Sequence, residues 1–147
     1  MTQPEKEQRG AAGTYPAAVV WDLDGTLTES APDLATALNA LLAGAGLEPH
    51  PVERVRLMIG HGVAVLIERG FAAAGAPLSA EARDALVPDF MARYSACATD
   101  NTHLVPGARY ALERLARAGV RQGLCTHKPE AVTRQILDAL DVTRYFD

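Results

Sequence analysis

The sequence of 147 residues has few cysteines, no block of positive charge and no long apolar run, and each shortage excludes a class of protein. Its two cysteines, Cys97 and Cys125, cannot make a disulfide framework, which favours a reducing compartment such as the cytoplasm. No stretch is apolar enough to cross a membrane, and residues 1–16 lack the apolar segment of a secretion signal. Because the net charge is −4, neither nucleic acid nor an anionic membrane is an expected partner.

What the sequence does have is the apolar content of a folded domain, since 48% of its residues are hydrophobic. The length suits one domain with a sizeable core. Residues 1–16 are polar and have little to bury, so they are predicted to form a disordered tail. The composition leaves the oligomeric state open.

Two aspartates follow directly on a short apolar segment. Residues 17–21 are predicted to form a buried strand, and Asp22 and Asp24 come straight after it. Residues two apart on an extended chain face the same side, so both carboxylates can reach one cation or one substrate. Mg²⁺ prefers such oxygen ligands. Gly25 permits a turn with positive φ, and Thr26 adds a hydroxyl and an N–H donor. A plain Asp-Gly turn is the alternative, but strand ends of this kind bind ligands in open α/β sheets.

The rest of the pattern predicts an α/β fold with an inserted helical region. Ser30 is expected to cap the first inserted helix, and Pro88 to kink a later one or to delay its start. A second strand is predicted at about 120–125, between two helices. The expected class is a Rossmann-like parallel sheet core, represented by its N-terminal portion, with an inserted α-helical cap domain. The predicted divisions are the tail at 1–16, the partial core at 17–29 and 103–147, and the cap at 30–102.

Polar residues also follow the second predicted strand. Thr126 offers a hydroxyl and N–H groups near a helix start, which suits an anion, although a plain helix cap is the alternative. Lys128 either neutralises phosphate charge or is a solvated lysine. His61 lies between two glycines of the helical region, which on the residues alone can simply break a helix. These residues favour a small phosphorylated ligand.

Four segments carry a resemblance to a known family. Asp22-Leu-Asp-Gly-Thr-Leu27 resembles the first motif of the haloacid dehalogenase-like hydrolases, which are mostly phosphatases with an aspartate nucleophile. The later segments resemble the branch of that family that acts on 2-phosphoglycolate, and the resemblance covers roughly residues 17–147. His127 departs from the pattern, because asparagine is usual there, although it can still donate a hydrogen bond. These later segments are Ser30-Ala-Pro-Asp-Leu34, Ile59-Gly-His-Gly-Val63 and Thr126-His-Lys-Pro129.

The resemblance implies a phosphatase that hydrolyses a small phosphate monoester, 2-phosphoglycolate above all, to an alcohol and phosphate. Asp22 would be the nucleophile that forms an aspartyl-phosphate, and Asp24 the general acid/base. Mg²⁺ would bind the Asp22 carboxylate and the Asp24 carbonyl. Asp24 favours phosphatase over dehalogenase chemistry, since a halide leaves without a proton. The substrate-binding residues would be Gly25, Thr26, Thr126, His127, Lys128 and His61.

Two further motifs of the family, a lysine and an acidic pair that completes the Mg²⁺ site, are expected to lie beyond Asp147. The chain is therefore interpreted as a truncated phosphatase with weak Mg²⁺ binding and very low activity. An exposed apolar sheet face is expected to promote self-association. A catalytically inactive remnant and a sugar-phosphate mutase of the same family are the alternatives.

Overall fold

The computed structural model describes residues 15–147, so nearly all of the predicted tail at 1–16 lies outside the described residues. Helices dominate this range, and the strands are short. The elements in chain order are β1 (Ala18–Trp21), β2 (Thr28–Glu29), α1 (Ala31–Gly44), α2 (Val52–Arg56), α3 (Val63–Ala73), α4 (Ala80–Cys97), β3 (His103–Leu104), α5 (Ala108–Arg117), β4 (Arg121–Leu124), α6 (Glu130–Ala139) and a 3₁₀ turn at Thr143–Tyr145.

A parallel pair of strands, β1 and β4, forms the sheet that was predicted from the sequence. Trp21 lies opposite Leu124 at the carboxyl end of the pair. Gln122 is buried in β4, where a polar side chain is expected to be costly. Both polar atoms of its amide are paired, because the oxygen accepts from Trp21 Nε1 at 3.0 Å and the nitrogen donates to the Leu112 carbonyl at 2.9 Å. The predicted α/β class is therefore confirmed, with a sheet of two strands.

The outer face of β1 is partly open. The strand is not buried as predicted, because its side chains alternate between exposed and half-buried and only one face is covered. Val20 points to the open side and is 69% exposed. The expected self-association through this face stays a prediction.

A second, antiparallel pair joins the two points at which the chain leaves and re-enters the sheet region. Strand β2 pairs with β3, with Thr28 opposite Leu104 and Glu29 opposite His103. All helices from α1 to α4 lie between these two strands in sequence. The β2–β3 pair therefore closes the helical insert at its base.

A buried carboxylate reinforces this closure from inside α1. Asp33 is fully buried, and both of its oxygens accept from the Asn101 backbone N–H at 3.0 Å. The Asn101 side-chain amide donates to Asp33 at 2.9 Å, and the backbone N–H and hydroxyl of Thr102 each donate at 2.8 Å. One side chain thus binds the returning linker to the start of the first inserted helix.

Two apolar clusters lie on either side of this closure, and α6 contributes to both. Val132 and Ile136 of α6 belong to the larger cluster, which otherwise comes from the inserted helices. Leu137 of the same helix joins the smaller cluster, with Leu23 and Leu112. The inserted helices therefore pack against the sheet region through α6. The predicted boundaries of core and cap at 17–29, 30–102 and 103–147 stay a prediction.

Of the two effects expected of Pro88, the delay does not occur, because α4 starts after Ser79 and runs through Pro88 to Cys97. The kink stays a prediction. Pro88 is exposed, so the carbonyl that it leaves without an N–H partner can be hydrated. His50 is buried, and its Nε2 lies 2.8 Å from the Gly70 carbonyl, which satisfies that ring nitrogen.

No helix in the described part of the chain is long and apolar enough to span a bilayer.

Gly70 of α3 is a point of close helix packing and generates a stability prediction. A Cβ at Gly70 would lie 2.7 Å from Leu38 Cδ1, whereas nothing lies within 4 Å of a Cβ at Gly44. Gly70→Ala should lower the free energy of unfolding by about 1–3 kcal/mol through overpacking. Gly44→Ala is the matched control and should be neutral or slightly stabilising. Urea unfolding of both variants measures the difference, and equal behaviour would contradict the packing account.

Asp33 generates a second prediction. Asp33→Ala should lower the free energy of unfolding by about 2–4 kcal/mol, since hydrogen bonds to a charged group are lost and buried donors are left unpaired. Asp100→Ala, which removes an exposed carboxylate from the same linker, is the control and should change stability little. Thermal unfolding followed by circular dichroism is the measurement. A loss no larger than that of the control would show that the buried carboxylate does not hold the linker.

Candidate active site

Asp22 and Asp24 leave the carboxyl end of β1 on the same side. Leu23 between them is fully buried, which turns the two flanking side chains away from the core. The Leu23 N–H donates to Asp22 Oδ1 at 2.8 Å. Gly25 follows at φ 78°, and its N–H donates to the Thr28 carbonyl at 2.8 Å. The predicted positive φ therefore makes the turn that sends the chain into β2.

Thr126 follows the end of β4, next to the end of β1. The register is carried one residue past the strands, because the Cys125 N–H donates to the Trp21 carbonyl at 2.8 Å. Thr126 Oγ1 accepts from the Lys128 N–H at 3.1 Å. Helix α6 is capped at Pro129, so Thr126 is not its cap residue, and that alternative is wrong. Asp22, Asp24 and Thr126 all line one cavity.

This cavity is small, about 40 Å³, and lies between the sheet edge and the inserted helices. Its far wall comes from the loop between α2 and α3, where Gly60 and Gly62 both have positive φ, at 112° and 88°. Arg69 supports this loop, since its guanidinium donates to the Met58 carbonyl at 3.1 Å. The glycines thus form a loop at the cavity. The remaining lining residues are Leu34, Ile59, Val63, Leu66, Tyr94, His127, Lys128 and Pro129.

A larger and more open cavity, about 360 Å³, adjoins the first. Asp24, Ile59 and Gly60 line both cavities, so the Asp24 carboxylate stands at their junction. Arg56 and Glu29 line the second cavity and form an ion pair at 3.1 Å. The second cavity therefore has a polar rim, and a molecule that spans both cavities would pass Asp24.

Lys128 is buried in the first cavity, which contradicts the solvated alternative. Its side chain is 3% exposed, and its ammonium lies 3.2 Å from Asp24 Oδ1. It also donates to the Tyr94 hydroxyl at 2.6 Å. Burial lowers the pKa of Lys128, although the charge of Asp24 acts in the opposite direction. Burial, followed by the negative charge of Asp24, raises the pKa of Tyr94 well above its usual value, so this hydroxyl is neutral.

Ser30 occupies the N-cap position of α1, as expected, but its side chain makes no cap bond to the helix. Its hydroxyl instead donates to Asp24 Oδ1 at 2.5 Å. Asp24 is therefore held by two donors, Ser30 at the start of α1 and Lys128 from the segment after β4.

The other predicted site residues are distributed around this centre. His127 lines the first cavity and Gly25 the second. Thr26 is exposed, and its N–H donates to the Leu23 carbonyl at 3.3 Å. His61 is exposed, with Nδ1 3.4 Å from Arg69, while the glycines beside it line the cavity. The functional roles of all the predicted site residues stay predictions.

Sequence reasoning missed Tyr94 and the Asp24 contact of Ser30. Tyr94 lies one helical turn after Phe90 on the buried face of α4, and this spacing gives no sign of a polar partner. That partner, Lys128, lies 34 residues further along the chain. No local pattern could have signalled a contact across that distance.

The donor set at the end of β1 suits a hard cation. The Asp22 carboxylate and the Asp24 carbonyl are oxygen donors, and Mg²⁺ takes one or two carboxylates together with water and substrate phosphate. Among residues 15–147, no group of three or more histidine, cysteine, aspartate or glutamate side chains is placed to hold a metal. A Mg²⁺ ion at Asp22 would therefore take most of its other ligands from outside these side chains.

Comparison with known proteins gives consistent results. A model described as haloacid dehalogenase-like hydrolase matches residues 16–147. The phosphoglycolate phosphatase of Caulobacter vibrioides is 45% identical over 131 residues, covering 89% of this chain and 55% of its own length. That of Cereibacter sphaeroides is 43% identical over 129 residues, covering 88% and 59%. The chain thus spans somewhat more than half the length of these relatives.

Solved structures give the same picture. The crystal structure of a predicted phosphoglycolate phosphatase from Haemophilus somnus superposes with a TM-score of 0.80 and 28% identity. The match covers 89% of this chain and 60% of that one. The arrangement of sheet edge and inserted helices is therefore shared with a known structure.

Proposed function

Because the chain belongs to the haloacid dehalogenase-like hydrolases, we propose that it carries the nucleophile, the acid/base and a phosphate-binding residue of a phosphatase. One observation carries the proposal. Asp22, Asp24 and Thr126 come from two adjacent strand ends and line a single cavity. Two carboxylates and a hydroxyl with nearby N–H groups can attack, protonate and hold one phosphoryl group.

In the first step, a carboxylate oxygen of Asp22 attacks phosphorus. An O–P bond forms to Asp22 while the bond from phosphorus to the substrate's ester oxygen breaks. Asp24 gives its proton to that departing oxygen, so the product is a neutral alcohol and the enzyme is left as an aspartyl-phosphate. The position of Asp24 at the junction of the two cavities supports this role, because the breaking bond would separate their contents.

In the second step, Asp24 acts as a base. It takes a proton from a water molecule whose oxygen attacks phosphorus, and the bond to Asp22 breaks. Inorganic phosphate leaves and Asp22 is restored as a carboxylate. The Thr126 hydroxyl and N–H groups after β4 would hold the phosphoryl oxygens through both steps.

A Mg²⁺ ion at the Asp22 carboxylate and the Asp24 carbonyl would supply charge neutralisation for the transferring group. The oxygen donors at the end of β1 support this cofactor. The protein's own part is to hold Asp22 in line with the phosphorus and to keep Asp24 within reach of the leaving oxygen.

The proposed substrate is a small phosphate monoester, with 2-phosphoglycolate as the first candidate. This proposal rests on what the relatives are named, and their names describe those proteins. The polar rim of the second cavity, at Arg56 and Glu29, is compatible with a small polar leaving group. A metabolite of this kind and the reduced cysteines are both consistent with a cytoplasmic protein.

Replacement of the nucleophile tests the covalent mechanism. Asp22→Asn should abolish the phosphoenzyme, because the neutral amide cannot attack phosphorus. The measurement, like the activity assays below, uses the full-length protein, which is quenched in acid after incubation with Mg²⁺ and 2-phosphoglycolate and analysed by mass spectrometry. Asp100→Asn is the control and should keep the phosphorylated species seen in the wild type. Normal turnover in Asp22→Asn, once deamidation back to aspartate is ruled out, would overturn the mechanism.

Replacement of the acid/base tests the second role. Asp24→Ala should lower kcat for 2-phosphoglycolate by about 10²–10⁴, the usual contribution of a positioned acid/base. Phosphate release at fixed Mg²⁺ concentration is the measurement. An unchanged kcat would assign proton transfer to another group.

Assays of the wild-type protein with 2-phosphoglycolate and with a sugar phosphate separate the alternatives. A wild-type protein that forms no phosphoenzyme and releases no phosphate would be a catalytically inactive member of the family. Conversion of a sugar phosphate into its isomer, with little release of inorganic phosphate, would favour a mutase.

A further inference from the structure

One ammonium group joins the inserted helices to the proposed acid/base. Lys128 Nζ lies 3.2 Å from Asp24 Oδ1 and 2.6 Å from the Tyr94 hydroxyl. Asp24 belongs to the end of β1, and Tyr94 to α4. The three side chains therefore form a continuous polar chain across the cavity, from the helical insert to the sheet edge.

The hydroxyl of Tyr94 is not needed to fill the core. Tyr94 is fully buried and its ring packs beside Phe90, at 5.9 Å between centroids. A phenylalanine would fill the same space, and burial of a hydroxyl is costly unless it is hydrogen-bonded. The hydroxyl accepts from Lys128, whose ammonium also lies 4.5 Å from the ring centroid. Tyr94 therefore fixes the ammonium both by a hydrogen bond and by the face of its ring.

Lys128 in turn limits where Asp24 can point. Asp24 Oδ1 receives Lys128 from one side and the Ser30 hydroxyl from another. An acid/base must lie within hydrogen-bond reach of the oxygen that it protonates, and small displacements of such groups are costly. The orientation of Asp24 consequently depends on where Tyr94 holds the ammonium.

We propose that Tyr94 is a positioning residue for the acid/base Asp24 and acts on it through Lys128. This inference rests on the proposed phosphatase function and adds to it a residue of the helical insert. Proton transfer to the leaving group would then depend on the position of α4, which carries Tyr94. A direct role of Lys128 on the phosphoryl oxygens is the competing explanation, and it predicts a different dependence on substrate.

Leaving-group chemistry separates the two explanations. The alcohol of 2-phosphoglycolate needs a proton as it departs, whereas p-nitrophenolate does not. Because kcat/KM covers steps only up to the first irreversible one, it reports phosphorylation of Asp22 and not the later hydrolysis. A variant that misplaces Asp24 should therefore lose kcat/KM on the alkyl ester and keep it on p-nitrophenyl phosphate.

The experiment uses the Tyr94→Phe variant of the full-length protein, with Mg²⁺ present. We expect kcat/KM for 2-phosphoglycolate to fall about 10- to 100-fold, as for loss of a hydrogen bond to a charged group. For p-nitrophenyl phosphate the change should stay below about threefold. Tyr110→Phe, which removes an exposed hydroxyl from α5, is the matched control and should leave both values unchanged. Unfolding curves check that the ring still fills its site.

A second set of variants tests the route through Lys128. Lys128→Met should lower kcat/KM selectively for 2-phosphoglycolate. Adding Tyr94→Phe to this variant should change kcat/KM by less than about a further twofold, because Tyr94 can no longer act on Asp24 once the ammonium is gone. Lys128→Arg keeps a charged donor and should recover part of the loss.

Three other outcomes would overturn the inference. Equal losses of kcat/KM on both substrates would indicate that Lys128 acts on the phosphoryl group. That result would overturn this inference and leave the proposed function standing. Independent, multiplicative losses in the double variant would also overturn the inference. A wild-type protein inactive on both substrates would refute the proposed function, and this inference with it.

Discussion

The geometry of the site depends on how the chain is held where it leaves the sheet and where it returns. The buried Asp33 carboxylate performs this closure, because it accepts from the backbone and side chain of both Asn101 and Thr102. Hydrogen bonds to an ionised group are stronger than neutral ones, and a buried carboxylate cannot be left without them. The β2–β3 pair lies beside it. Together they fix the base of the helical insert, and hence the cavity that the insert covers.

The same balance of burial and pairing applies inside the cavity. A buried ammonium is expensive unless it is paired, and Lys128 meets this cost with the Asp24 carboxylate and the Tyr94 hydroxyl. Among the described residues, no buried side-chain nitrogen or oxygen lacks a hydrogen-bond partner. A substrate phosphate would bring two more negative charges beside this ammonium. A phosphate bound in this cavity would therefore have to compete with the Asp24 carboxylate for the ammonium of Lys128.

The sequence allowed the local features of the site to be predicted, and the long-range ones escaped. Asp22, Asp24 and Gly25 lie in one turn, so strand periodicity and turn chemistry were enough to place them. Thr126 could be placed because the second predicted strand, β4, ends just before it. Buried His50 and the Tyr94–Lys128 contact could not be predicted, since each depends on partners 20 and 34 residues away. Ser30 was correctly placed at the start of α1, but its hydroxyl bonds Asp24 instead of the helix, and both contacts suit the same residue type.

One short segment links the chemistry to the packing. Residues 126–128 carry the hydroxyl, imidazole and ammonium of the cavity, and α6 begins two residues later. Within α6, Val132 and Ile136 enter the apolar cluster of the inserted helices, while Leu137 enters the cluster of the sheet region. Apolar packing fixes α6 against both parts of the fold, because close-packed interiors transmit displacements. A shift of the inserted helices relative to the sheet would therefore move residues 126–128 as well as the Tyr94 hydroxyl. The position of the helical insert and the polar contacts of the cavity are thus coupled, and one cannot change without the other.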